Sequence, residues 1–316
     1  MYTKWFTVGL YIFFSLLCSA VVKSICPPQE DIYPCRCETP FDPAIVCANI
    51  TKMETIREVF EHSHGIIFKN FVIENSALQF LPASSLISKR IRGLAIINTT
   101  LTGLFDEVPS SANTVEVFLL QNVIIQRAIQ WNMLQKLTKL FHIQFINLTI
   151  KKLGKEFIGN INQGIKVIFL SQNKLSSLAD GVFENLNALG WLTIINNEVK
   201  ILKRSMFPRP ARLKHLDLLN NRIEFLPDDL FTDMPDLKAI GLKGNRISFL
   251  EDPVFGAVFN QLVLLNVAGN PIKCDCSIHW MTNRDHSYVL GACEEPSSRK
   301  GKQLKDLTEE EFRHCN

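Results

Sequence analysis

From Ile165 to Ile272 the apolar positions return in rows of about two dozen residues, always in the same order. The rows read Ile165, Ile168, Leu170, Asn173, Leu175; Leu189, Leu192, Ile194, Asn197, Val199; Leu213, Leu216, Leu218, Asn221, Ile223; Leu237, Ile240, Leu242, Asn245, Ile247; and Leu262, Leu265, Val267, Asn270, Ile272. Inside each row the fourth and sixth positions are apolar, a period of two, which predicts a short strand with those side chains turned inward and the third, fifth and seventh turned out. The ninth position is always asparagine, whose amide can satisfy backbone groups where the chain bends out of the strand.

These rows fit L-x-x-L-x-L-x-x-N-x-L, the leucine-rich repeat, and five matches in phase make the signal specific. One such unit cannot bury its own leucines, so neighbours must stack. Looser rows precede them. Phe68, Phe71, Ile73, Leu78; Ile91, Leu94, Ile96, Leu101; Val115, Phe118, Leu120, Ile125; and Leu140, Ile143, Phe145, Ile150 match the leucine positions. Here the asparagine falls one place early, at Asn75, Asn98, Asn122 and Asn147, and the ninth position holds Ser76, Thr99, Val123 or Leu148. Either the turn is built differently in this half or the register is displaced by one, which would turn the strands inside out. Rows starting at 68, 91, 115, 140, 165, 189, 213, 237 and 262 give nine repeats. The expected fold is an α/β solenoid, a horseshoe with a parallel concave sheet. Its convex side should be irregular or short helical turns, with Phe183, Phe207, Phe231 and Phe255 as a second buried spine.

The rows leave both ends of the chain unexplained. Residues 1–24 begin with a basic Lys4, run apolar from Trp5 to Leu17 and continue with small residues, which reads as a signal peptide; an uncleaved anchor is the alternative, but the run is short for a spanning helix. The mature chain is expected to be secreted, with no membrane anchor. Beyond Cys18, eight cysteines stand in two groups, Cys26, Cys35, Cys37, Cys47 and Cys274, Cys276, Cys293, Cys315. An even count in an exported chain reads as disulfides; C-x-C pairs also suit zinc, which an oxidising compartment disfavours. The expected domains are the signal peptide, an N-terminal cap at 25–64, repeats at 65–272 and a C-terminal cap at 273–316. In the first cap Thr51–Glu54 reads as a capping box ahead of a helical face of Met53, Ile56, Val59 and Phe60.

Both cysteine groups, with the run Asn270-Pro-Ile-Lys-Cys-Asp-Cys276 and Trp280, resemble the caps of extracellular leucine-rich repeat proteins. That resemblance implies pairing of first with third and second with fourth cysteine: Cys26–Cys37, Cys35–Cys47, Cys274–Cys293 and Cys276–Cys315. The opening Cys-Pro-Pro-Gln-Glu-Asp-Ile-Tyr-Pro-Cys-Arg-Cys and the rows ending Asn-Thr-Thr and Asn-Leu-Thr further resemble an arthropod group that includes the non-catalytic subunit of Oplophorus-luciferin 2-monooxygenase. In that complex the repeat protein accompanies a separate catalytic chain; the resemblance implies a secreted, non-enzymatic, partner-binding chain here, and identifies neither a catalytic chain nor a luciferin.

With a net charge of +3, 47% hydrophobic and 21% charged residues, the chain argues neither for a nucleic-acid partner nor for a strongly acidic one, and no nucleic-acid partner is expected. No metalloprotease, nucleophile-elbow, phosphate-loop or dinucleotide motif occurs, no cofactor or metal site is expected, and His62 and His64 read as a solvated turn. His215 and Asp217 share a strand face, but the nearest outward serine, Ser171, is two rows away, about 10 Å by strand spacing. Arg299 to Lys302 read as a solvated loop and Glu309 to Glu311 as a capped last turn. Sequons stand at Asn49, Asn98 and Asn147.

The outward columns carry the functional expectation. Solvated strands alternate apolar with polar, yet Val117, Leu119, Ile146, Val167, Phe169, Trp191, Ile195 and Leu219 all face outward, with His215 among them. A contiguous exposed apolar patch marks an interaction site, and aromatic residues anchor interfaces; scattered apolar surface, the alternative, needs no explanation. The expected partner is an extracellular protein. A small apolar ligand or lipid on the same face is the second reading, disfavoured because an open arc encloses little of a small ligand.

Overall fold

The computed structural model describes residues 26–38, 43–63 and 65–315. The signal-peptide expectation and His64 lie outside them. The rows of apolar residues build one twelve-stranded sheet, in the order Arg36–Glu38, Ala44–Ala48, Asn70–Glu74, Gly93–Ile97, Val117–Gln121, His142–Ile146, Val167–Ser171, Trp191–Ile195, His215–Asp217, Ala239–Gly241, Leu264–Asn266 and Val289–Leu290. Only the first pair is antiparallel. The nine strands from Asn70–Glu74 to Leu264–Asn266 belong to coils one to nine of a leucine-rich repeat solenoid with a disulfide-bonded cap at either end.

The register is the one the leucines predict. Phe71, Leu94, Phe118, Ile143, Ile168, Leu192, Leu216, Ile240 and Leu265 stand side by side across the sheet, all buried. The displaced asparagines of the first four rows therefore mark no slip; the turn keeps the same left-handed residue and differs in the side chain at position nine. Position eight is the left-handed residue of every coil: Asn75, Asn98, Asn122, Asn147, Gln172, Asn196 and Asn220 have φ between 48° and 59°, and Gly244 and Gly269 sit at 68° and 69°. Asparagine and glycine are the residues that enter this region most readily.

Two amide ladders result. At position eight the side chains are exposed and hydrogen-bond along the lip: Asn98 Nδ2 donates to Asn75 Oδ1 at 3.2 Å, Asn122 Nδ2 to Asn98 Oδ1 at 2.9 Å and Asn147 Nδ2 to Asn122 Oδ1 at 2.8 Å. At position nine, from coil five on, the asparagines are buried. Asn221 Oδ1 accepts from Val199 N at 3.0 Å while its Nδ2 donates to Ile194 O at 2.7 Å and Leu218 O at 3.0 Å; Asn173, Asn197, Asn245 and Asn270 repeat the pattern. In coils one and two hydroxyls replace the amide: Ser76 Oγ accepts from Ile50 N at 2.9 Å, and Thr99 Oγ1 accepts from Ser76 N at 3.3 Å.

The convex side carries short turns and helices, among them Trp131–Leu134, Lys155–Asn160, Arg204–Met206 and Asp252–Phe259. Phe183, Phe207, Phe231 and Phe255 are buried as expected, and the spine extends backward, since Trp131 meets Phe157 edge-on at 5.0 Å and Phe157 meets Phe183 at 6.4 Å. On the same convex side Arg204 is only 2% exposed. Its guanidinium donates to Thr232 O at 2.6 Å, Pro208 O at 2.8 Å and Phe207 O at 3.1 Å, so it ties the convex turns of coils six and seven together.

The four disulfides are Cys26–Cys37, Cys35–Cys47, Cys274–Cys293 and Cys276–Cys315. Helix Met53–His62 covers coil one with Ile56, Val59 and Phe60; it begins with Lys52 at its N-cap and without a side-chain cap, so the Thr51–Glu54 box does not form. At the other end the last turn is held by Glu311, whose Oε2 accepts from Thr308 N at 3.0 Å. Arg299 is no solvated loop residue. It donates to Cys274 O at 2.7 Å and to Glu311 O, with its guanidinium 4.3 Å from the Phe312 ring centroid.

Candidate functional site

Because positions four and six point into the core, positions three, five and seven of each strand must line the concave floor. Trp191, at position three of coil six, is 44% exposed. Its ring stacks on that of His215 in coil seven, with centroids 4.1 Å apart and planes at 13°. Strand spacing of about 4.8 Å brings two flat rings in adjacent coils into this contact. The stack fixes the plane of the indole, which stands up from the sheet against its neighbour one strand away. Around it lie Val167, Phe169, Ile195 and Leu219, all half-buried. Phe169 and Trp191 are thus on the floor and not in the core.

The remaining predicted contacts divide. Val117 and Ile146 are half-buried on the floor of coils three and four. Leu119 is only 7% exposed, although the flanking Phe118 and Leu120 turn into the core. It faces the floor and is covered there, which leaves it little area to offer a partner. Ser171 is buried as well, and the His215–Asp217 pair has no exposed serine on the neighbouring strands.

Burial sets the charge of this floor. His142 is pushed down to about 4 by burial, and His215 is lowered by burial and by Lys214 beside it, so both imidazoles are neutral at pH 7. Asp217 is raised to about 6 by burial, partly offset by the Leu219 N–H it accepts at 3.2 Å. Its carboxylate rests against the backbone of coil eight, where a Cβ on Gly241 would stand 2.4 Å from Oδ1. Lys166, Lys214 and Lys238 are exposed at position two, the entering edge of the strands, and Lys243 is exposed at position seven of coil eight.

Sequence reasoning missed two features. The lysine rim follows from position two of each row, which alternation of apolar and polar residues does not single out. The second is a column at position thirteen, Ile201, Phe225 and Phe249, exposed at 63%, 67% and 45% on the flank beyond the lip. Its signal was the 24-residue spacing. Among the described residues one group has clustered metal-type donors, Cys276, His314 and Cys315, but the two sulfurs are bonded to each other, and a disulfide is no thiolate ligand. Two open depressions, of about 360 and 290 Å³, lie at the C-terminal cap and not at Trp191. No helix among the described residues is long and apolar enough to cross a membrane.

A model of the family described as leucine rich repeat matches residues 211–272. A search of curated proteins finds no match. Among solved structures, a chain of an octameric complex of Latrophilin 3 (Lec, Olf), Unc5D (Ig, Ig2, TSP1) and FLRT2 (LRR) is similar over 89% of this chain and 99% of its own, with a TM-score of 0.59 and 16% identity. At that identity the likeness speaks for the fold.

Proposed function

We propose that this leucine-rich repeat solenoid is an exported, non-enzymatic accessory chain that holds a protein partner against its concave floor, centred on coils five to seven. The observation that carries the reading is the Trp191–His215 stack, an indole held rigid on a sheet and left 44% exposed. Rigid aromatic anchors with little rotamer entropy to lose are what interfaces concentrate their binding energy on. Val167, Phe169, Ile195 and Leu219 surround it with apolar surface, and the neutral histidines add no charge to desolvate. The lysine rim gives the partner's approach a sign, favouring an acidic surround on its side.

Export is supported by the apolar leader and by four disulfides, which persist in oxidising compartments. The accessory role is supported by the sequence resemblance to a non-catalytic subunit group, and by a chain of the same fold standing within a multi-protein assembly. The test is to purify the exported chain from its source tissue and identify what accompanies it. A stoichiometric polypeptide that is lost from Trp191→Asp and Phe169→Asp variants, with secretion unchanged, supports the reading. An extractable lipid in its place, or a polypeptide retained by both variants, overturns it.

A further inference from the structure

The lip of the concave face is lined by the left-handed residues of position eight. In the N-terminal half their backbones are pinned: Asn49, Asn75, Asn98, Asn122 and Asn147 each donate their N–H to the carbonyl of position seven in the next coil, at 2.8–3.2 Å. A fixed backbone with φ near 50–60° fixes where each side chain leaves the sheet, and all five side chains are exposed. They form a rail of amides, one per coil, about 4.8 Å apart.

Position ten, two residues on, decides which rungs are sequons. It reads Thr51, Ala77, Thr100, Ile124, Thr149. Only Asn49, Asn98 and Asn147 are therefore followed by the hydroxyl that glycosylation requires, and these are every second rung. Two strand spacings put consecutive sequons about 10 Å apart, whereas adjacent rungs at about 5 Å leave no room for two branched sugars side by side. Further along the same rail, Asn196 and Asn220 are followed by Asn197-Glu198 and Asn221-Arg222, and no sequon occurs.

We propose that Asn49, Asn98 and Asn147 carry N-linked glycans on alternate rungs of this rail, which screen one lip of the N-terminal half and leave the lip of coils five to nine bare. The inference rests on the export reading above, since the modification is made in the secretory pathway. The rail survives it. An amide nitrogen has two hydrogens. The sugar replaces one, and the other, opposite the carbonyl oxygen, is the one a stack of amides uses. Asn98 can thus keep donating to Asn75, and Asn147 to Asn122. With sugars beside coils two and four, a partner reaches the floor from the bare end, where Trp191 and His215 stand.

The full chain is expressed in cultured mammalian cells, and occupied sites in the medium are mapped by enzymatic glycan release in heavy-oxygen water, which marks each occupied asparagine. All three sites near full occupancy on one molecule is the expected result. A secreted chain with Asn49, Asn98 or Asn147 bare overturns the proposal and leaves export standing. A chain retained in the cell overturns export, and replacing residues 1–24 with an established secretion leader then still reads the three sites. The spacing argument has its own variant. Ile124→Thr turns Asn122 into a sequon between two occupied rungs, and its secreted yield should fall several-fold below that of Ile124→Val, which creates none. Equal yields with Asn98, Asn122 and Asn147 all occupied overturn it.

Discussion

Asn220 and Asn221 are chemically identical neighbours, and the fold predicts opposite consequences for removing them. Asn221 sits in the buried ladder. Truncation by Asn221→Ala leaves Val199 N and Ile194 O without the partners they have at 3.0 and 2.7 Å, in a place water does not reach. Leu218 O keeps the Asn245 amide at 2.9 Å, so two groups are orphaned and not three. Each buried unsatisfied backbone group costs about 1–3 kcal/mol, so the variant should lose about 2–6 kcal/mol. Asn220 is exposed, and its one side-chain bond, to Asn196 at 2.8 Å, competes with water. What that position requires is a φ of 53°. Asn220→Gly should be within about 0.5 kcal/mol of the parent, and Asn220→Ala should lose about 1–2 kcal/mol through the left-handed backbone alone. Equilibrium unfolding in guanidinium with the disulfides intact, followed by far-UV circular dichroism, measures all three. The slope of the transition must be compared as well, because a solenoid can lose two-state behaviour. If Asn221→Ala stays within 1 kcal/mol of the parent, or Asn220→Gly proves the worse variant, the assignment of the two ladders is wrong.

Asp217, raised to about 6 in the fold, binds its proton more tightly folded than unfolded, so its penalty is absent below about pH 4, grows as pH rises from 4 to 6 and is full above 6. Asp217→Asn keeps an acceptor for Leu219 N and should be more stable at pH 7.5 by up to about 3 kcal/mol, with the gain vanishing at pH 4; thermal melts across that range check it. Arg204→Met leaves the carbonyls of Thr232, Pro208 and Phe207 without their charged donor and should destabilise by about 3 kcal/mol or more, loosening coils six and seven first; hydrogen exchange of that segment reads it. Trp191→Ala should leave the unfolding midpoint nearly unchanged while weakening partner capture at least tenfold, because the indole lies on the sheet and not in it.

Much of this molecule was legible in the rows. Leucine positions at one, four, six and eleven give strand, inward face and stacking, because a period of two inside a period of about 24 has one packing solution; the parallel sheet, the register and the phenylalanine spine all follow. What the rows could not tell is which residues share surroundings across coils. The early asparagines leave open a differently built turn or a displaced register, since sequence shows their offset and not their φ; only the folded backbone makes position eight the left-handed lip and position nine the buried acceptor. Leu119 and Trp191 both face outward, at positions five and three of their rows, yet one is 7% and the other 44% exposed, a difference that alternation along a strand does not show. Arg299 reads as a solvated loop residue, and nothing in the rows singles out Arg204, because the carbonyls they bind are brought to them from 12–25 and 3–29 residues away in the chain. Local pattern specifies the coil, while curvature and long-range hydrogen bonding decide what each coil presents to water.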